Sequence, residues 1–149
     1  MRLRPGTPND LEIVIQHRIA MFRDMGYSDA VLAPIETVSR PLFAQGLADG
    51  SYYALFAERE EGGEVVAGGG VLIVPWPGTQ PRKAWILNIY VKPDFRRRGI
   101  ARHITRALLE WCRQQGFDSV NLHASPEGRP LYEQLGFRPT NEMRLNLNQ

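Results

Sequence analysis

Three arginines and a glycine mark the segment of this sequence best suited to chemistry: Val91-Lys92-Pro93-Asp94-Phe95-Arg96-Arg97-Arg98-Gly99-Ile100-Ala101. An apolar run ends at Pro93, and Ile100, Ile104, Ala107, Leu108 and Trp111 then recur at helical spacing, so the basic residues fall where a helix begins. The first amides of a helix have no partner inside it, and the positive end of its dipole lies there, which makes the junction an anion site. Gly99 lets backbone approach a phosphate closely, and Arg96, Arg97 and Arg98 add charged donors suited to phosphate oxygens. Neither common nucleotide motif is present: the chain has no G-x-x-x-x-G-K-[ST], and Gly68-Gly69-Gly70 lies inside a strand-like run rather than ahead of a helix. Cys112 is the sole cysteine, so an intrachain disulfide and a four-cysteine zinc site are excluded. It sits beside Trp111 with no His or Asp at useful local spacing and reads as a packing residue.

The elements that must position this segment can be read from periodicity and punctuation. Arg2-Leu3-Arg4 is a short strand closed by Pro5-Gly6; Thr7, Pro8 and Asp10 then carry the signature of a capped helix start. Leu11, Val14, Ile15, Arg18, Ile19, Phe22 and Met25 share one face of that helix, which stops at Gly26. A second helical stretch from about Pro34 to Asp49 places Ile35, Val38, Leu42, Phe43 and Leu47 at helical spacing, and Pro41 within it predicts a kink or two short helices. Tyr52–Ala57 and Val65–Val74 form a hairpin, with a bulge or a close backbone approach expected at the glycine run. Ala84–Val91 is a central strand, followed by the helix that closes at Gly116, a parallel strand at Ser119–His123, a short helix at Arg129–Leu135 and an alternating last strand at Met143–Leu147. The order is β-α-α-β-β-β-α-β-α-β, an α/β or α+β domain around one mixed sheet.

A chain of 149 residues with 43% hydrophobic side chains is sized for one domain, 1–149. Its formal charge of +2 is too balanced for a protein that coats nucleic acid or an anionic membrane. That balance hides a division: residues 1–74 carry six basic and ten acidic side chains, residues 75–149 twelve and six. No apolar run approaches the ~20 residues of a transmembrane helix, and the first residues lack a signal peptide's apolar region. A cytoplasmic location is expected, with no membrane or nucleic-acid partner.

Arg96-Arg97-Arg98-Gly99-Ile100-Ala101 resembles the [QR]-x-x-G-x-[GA] acetyl-coenzyme A motif of the GNAT N-acetyltransferase superfamily, and it follows a strand and Pro93 as that motif does in the family. A second block, Gly128-Arg129-Pro130-Leu131-Tyr132-Glu133-Gln134-Leu135-Gly136-Phe137, is similar to the family's late L-Y-E-x-L-G-F run. Two motifs in order about thirty residues apart are a strong signal, and the resemblance covers nearly the whole chain in element order. It implies a GNAT-like fold, a mixed sheet of six to seven strands flanked by about four helices. It also implies acetyl-coenzyme A as co-substrate, an amine of a small molecule or peptide as acceptor, no metal, and room for a homodimer.

Residue roles follow from the same resemblance. The strands at Ala84–Val91 and Ser119–His123 should splay, exposing backbone of Ile89, Tyr90 and Val91 to the pantetheine amides, with an amide near Val91 placed to stabilise the thioester's oxyanion. Amides of Arg97 to Ala101 would hold the pyrophosphate, Ser125 would hydrogen-bond the coenzyme, and Tyr132 would be the general acid for the departing thiolate. Some relatives carry a Glu early in the strand equivalent to Ala84–Val91; this chain has no acid there, and Trp85 is the nearest match. His123 and Asn88 are the substitutes, either of which could hold a water that removes the proton. The amine side would draw on Phe22, Tyr27, Tyr52, Trp76 and the acids Asp24, Asp29 and Glu36. The missing acid keeps an alternative open, a non-catalytic acyl-coenzyme A-binding module.

Overall fold

In the computed structural model, which describes residues 1–148, five strands form one sheet in the order β1-β2-β3-β4-β5. β1 (Arg2–Pro5), β2 (Tyr52–Glu58), β3 (Val65–Pro75) and β4 (Arg82–Val91) are mutually antiparallel, and β5 (Val120–Leu122) lies parallel to β4. The glycine run sits at the middle of this sheet. A Cβ at Gly68 would lie 2.9 Å from Phe56 and 3.0 Å from His17 Nδ1, and one at Gly70 would overlap the Tyr52 ring, so side chains from neighbouring elements occupy the room the glycines leave. The β3–β4 register shifts between Gly68 and Gly70, which gives both the bulge and the close approach expected there.

Helices cover the two faces. Thr7 and Asp10 form the capping box read from the sequence, around a short 3-10 turn that leads into α1 (Leu11–Asp24). Arg4 ties the sheet to this turn by pairing with both Asp10 and Glu58, and its guanidinium holds the Asp10 carboxyl below the usual carboxylate range. α2 (Asp29–Asp49) is one unbroken helix, five residues longer at its start than predicted. Its prolines, Pro34 and Pro41, are exposed, as are Ala30 and Thr37, whose carbonyls they deprive of an N–H partner, so those carbonyls lie on the solvent side of the helix. The buried residues of α2 are Leu32, Ser39, Phe43 and Gly46; of the predicted Ile35, Val38, Leu42, Phe43 and Leu47, Phe43 is buried and Leu47 packs against the same core, while Val38 and Leu42 are exposed. α1 and α2 pack with Tyr52, Ala54 and Phe56 of β2 into one core. α3 (Ile100–Gln114) lays Ile100, Ile104, Leu108 and Cys112 against the other face, over Ala57, Val66, Ala67, Val71, Ala84 and Ile86.

Two expectations need correction. Among the described residues the sheet has five strands, not six to seven, and the helices number four with α4 (Arg129–Gln134). The missing strand is the alternating segment Met143–Leu147, which carries its apolar residues into solvent: Met143 is 94% exposed and Leu147 86%. Alternation marks a strand only where an edge is available to pair with it, and β5, three residues long, offers almost none. No helix of the described residues is long and apolar enough to cross a membrane.

Candidate acyl-coenzyme A site

β4 is ten residues long and β5 three, and this inequality shapes the site. The two strands pair only at Ala84–Val120, Trp85–Asn121 and Ile86–Leu122. Beyond Ile86, the β5 side of β4 has no strand against it, so Ile89, Tyr90 and Val91 are half-buried rather than buried. The divergence coincides with a break in β4 itself. Asn88 has φ 63°, in the left-handed region, and β4 spends three steps (Leu87 to Tyr90) where β3 spends two (Gly68 to Gly70). One extra residue at this bulge turns the strand, and asparagine is among the few side chains other than glycine that adopt the conformation readily.

After a 3-10 turn at Pro93–Phe95, the basic loop enters α3 through two further left-handed residues, Arg97 (φ 63°) and Gly99 (φ 78°). The first backbone bond of α3 runs from the His103 N–H to the Gly99 carbonyl at 3.0 Å. Amides from Arg97 to Ala101 therefore have no protein acceptor among the described residues, and they lie at the positive end of α3. A Cβ at Gly99 would meet nothing within 4 Å, so the glycine serves the positive φ and leaves open space beside the amides.

The three arginines are not equivalent. Arg96 is committed elsewhere: its Nε donates to the Val91 carbonyl at 2.8 Å, and an Nη donates to Asp24 at 2.7 Å, at the end of α1. Arg98 lies over the Phe95 ring, 5.2 Å from its centroid. Arg97 has no ion pair within the described residues and is the freest of the three. Ile100 is buried in the α3 core, while Ala101 contributes backbone.

Tyr132 stands on α4, half-buried, edge-on to Phe137 with ring centroids 5.9 Å apart. Burial raises its pKa, so the phenol keeps its proton at neutral pH. Ser125 accepts a hydrogen bond from the Gly128 N–H at 3.1 Å and so holds the turn that starts α4; Gly128 in turn packs beneath the Tyr132 ring. Arg102 of α3 donates to Gln134 of α4, linking the two helices. His123 lies just past β5, exposed, with its ring against Trp85 and its Nε2 3.8 Å from Glu142. It is not joined to Asn88, the other candidate base. Cys112 is buried in the α3 core and its thiol is pushed up to about 11, as a packing residue's would be. Among the described residues no group of three or more His, Cys, Asp or Glu side chains could hold a metal ion.

Asn88 belongs to a network that the sequence reading missed. Its Nδ2 donates to the Tyr52 hydroxyl at 2.9 Å, and its Oδ1 accepts from Arg18 Nη1 at 2.8 Å. Arg18 also donates from Nε to Ser39 Oγ at 3.0 Å and lies over the rings of Phe22 and Phe43. The signal was present, because Arg18 is the one charged residue on the apolar face of α1; a cation there demands partners, and only the fold could say which.

A family profile described as "Acetyltransferase (GNAT) family" matches residues 17–137. The human N-acetyltransferase 8 is 32% identical over 89 residues, 58% of this chain and 38% of its own length, so the chain spans well under half of that relative. The GCN5-related N-acetyltransferase from Ralstonia eutropha has the same fold throughout, with a TM-score of 0.92, 36% identity and 99% of both chains covered. A second solved structure, a predicted acetyltransferase with acetyl-CoA from Clostridium acetobutylicum, superposes with a TM-score of 0.88 at 26% identity, over 99% of this chain and 96% of that one. With the open stretch of β4, the amide-rich turn into α3 and these likenesses together, the chain belongs to the GNAT acetyltransferase family.

Proposed function

We infer that this chain, as one domain, transfers an acetyl group from acetyl-coenzyme A to a primary amine of a small molecule or peptide by direct attack on the thioester. The observation that carries this reading is the early end of β4–β5 pairing at Ile86–Leu122, five residues before β4 ends at Val91 and leads toward the amide-rich turn. A linear ligand with amides in its middle and a pyrophosphate at one end suits such a track. Backbone of Ile89, Tyr90 and Val91 would pair with the pantetheine amides as an added strand does. Amides of Arg97, Arg98, Gly99, Ile100 and Ala101, with the Arg97 side chain, would hold the pyrophosphate. Ser125, whose hydroxyl can still donate, would reach the coenzyme from the turn before α4.

In the reaction the amine nitrogen bonds to the acetyl carbonyl carbon and the carbon–sulfur bond breaks. An amide near Val91 donates to the carbonyl oxygen as it gains charge. Tyr132 gives its phenolic proton to the departing sulfur, and water returns it. The amine's surplus proton leaves through solvent, which His123 is exposed enough to meet.

Titration with coenzyme A tests the reading directly. The wild-type chain is expected to bind it, and Gly99→Glu to lose at least about a hundredfold in affinity with an unchanged far-ultraviolet circular dichroism spectrum, because a carboxylate would occupy the anion's space. Equal affinity in the two proteins would overturn the assignment. Binding without thiol release on any amine would instead make the chain an acyl-coenzyme A-binding module.

A further inference from the structure

The acids expected to draw a cationic amine are already paired. Asp24 accepts from Arg96, Asp29 from Arg23 and Glu36 from Arg40, each within 3.4 Å. The uncompensated charge on this side of the sheet is positive. Arg18 is half-buried between α1, α2 and β4, and all of its partners are neutral: Ser39 Oγ, Asn88 Oδ1 and the faces of Phe22 and Phe43. No Asp or Glu of the described residues lies within ion-pair distance of it. Of its five N–H donors two are used, leaving three, including both on Nη2.

Position gives this cation its meaning. Its partner Asn88 is the bulged residue at which β4 turns away from β5, so Arg18 stands one hydrogen bond from the point where the cleft opens, on the face covered by α1 and α2. A desolvated guanidinium costs free energy unless a charge-assisted partner meets it, and its fork matches a carboxylate. We propose that Arg18 anchors a carboxylate of the acceptor, and that the acceptor is therefore an amino acid or another amine carrying a carboxylate close to the nucleophilic nitrogen. This rests on the acyl-transfer reading and narrows its substrate. Phe22, with Tyr27 stacked on it at 5.1 Å, would supply an aromatic wall beside the anchored group. A fixed cation there also favours the neutral, nucleophilic form of an amine held next to it.

The test compares amino acids with their carboxamides as acceptors, reading thiol release from acetyl-coenzyme A. In the wild-type protein kcat/KM should favour the acid over the amide by roughly ten- to a hundredfold, the effect of a hydrogen-bonded charge pair. In Arg18→Gln that ratio should fall to near one, chiefly through KM, and Arg18→Lys should restore part of it. A wild-type protein indifferent to the carboxylate overturns the proposal, as does an Arg18→Gln variant whose losses are equal on acid and amide, the behaviour of a purely structural residue. Two failures are kept apart by a second measurement, the thermal shift produced by N-acetyl amino acids. If coenzyme A does not bind, acyl transfer fails, and a shift seen in the wild type but absent in Arg18→Gln still supports the carboxylate anchor. If coenzyme A binds but no N-acetyl amino acid shifts the melting temperature and no parent amino acid reacts, the anchor is wrong and the acyl-coenzyme A site stands.

Discussion

Tyr132 has the environment of an acid rather than of a nucleophile, since burial on α4 holds its proton to a higher pH than an exposed phenol's. Tyr132→Phe should lower kcat by roughly 10- to 100-fold while leaving the KM for acetyl-coenzyme A nearly unchanged. Activity that depends on the neutral phenol is full below its raised pKa and lost as pH climbs through it, so the wild-type alkaline limb should lie above the ordinary tyrosine value of about 10. Steady-state kinetics across pH check both points, and a limb that survives in the Phe variant would assign it to another group. The turn into α3 was legible in the sequence because Pro93 and Gly99 are local signals, each tied to a backbone requirement at its own position. Arg18, Ser39, Tyr52 and Asn88 were not legible as a unit. They come from four different elements, and nothing in the spacing of 18, 39, 52 and 88 announces that they meet.

Among the elements, β3 shows how a weak strand former can be the correct choice. Gly69 and Gly70 differ in what a methyl would strike: at Gly69 the flexible tip of Ile89, at Gly70 the hydroxyl end of Tyr52. Tyr52 is buried and hydrogen-bonded to Asn88, so it cannot swing aside without leaving polar atoms unpaired. Gly70→Ala should cost about 2–3 kcal/mol and Gly69→Ala under about 1 kcal/mol, measured by denaturant unfolding; the reverse order would mean that Tyr52 is not fixed. Most elements were readable from periodicity, including the α1 capping box and the parallel β4–β5 crossover. The errors had a common origin in tertiary context. Exposed Pro34 and Pro41 let α2 run through, and an alternating tail at Met143–Leu147 found no edge to join.

At the scale of the molecule, the acidic first half and the basic second half are stitched together rather than set apart: Asp24 pairs with Arg96, and Glu64 lies 3.7 Å from Lys92. One buried titratable group bears on the stability of the whole. His17 packs against Phe56 and Tyr90, and burial, aided by the charge of Lys92, pushes its pKa down to about 4. Its ordinary value is about 6.5, so as pH falls the unfolded chain takes up the proton first. His17 thus contributes stability in full above pH ~6.5 that is lost as pH falls through about 4, amounting to about 3 kcal/mol. Unfolding free energies at pH 7.5 and 4 should differ by less in His17→Gln than in the wild type, and an equal difference would show that His17 is not the titrating group.

The two outermost strands of the sheet, β1 and β5, are four and three residues long, against seven to eleven for the strands between them. A free strand edge is a template on which another chain can add and fibrils can grow, and short edges offer too few hydrogen bonds to hold a stranger. The brevity of β5 leaves the stretch of β4 beyond Ile86 as a longer open edge, and the bulge at Asn88 that interrupts this stretch makes it a poor template for a second chain.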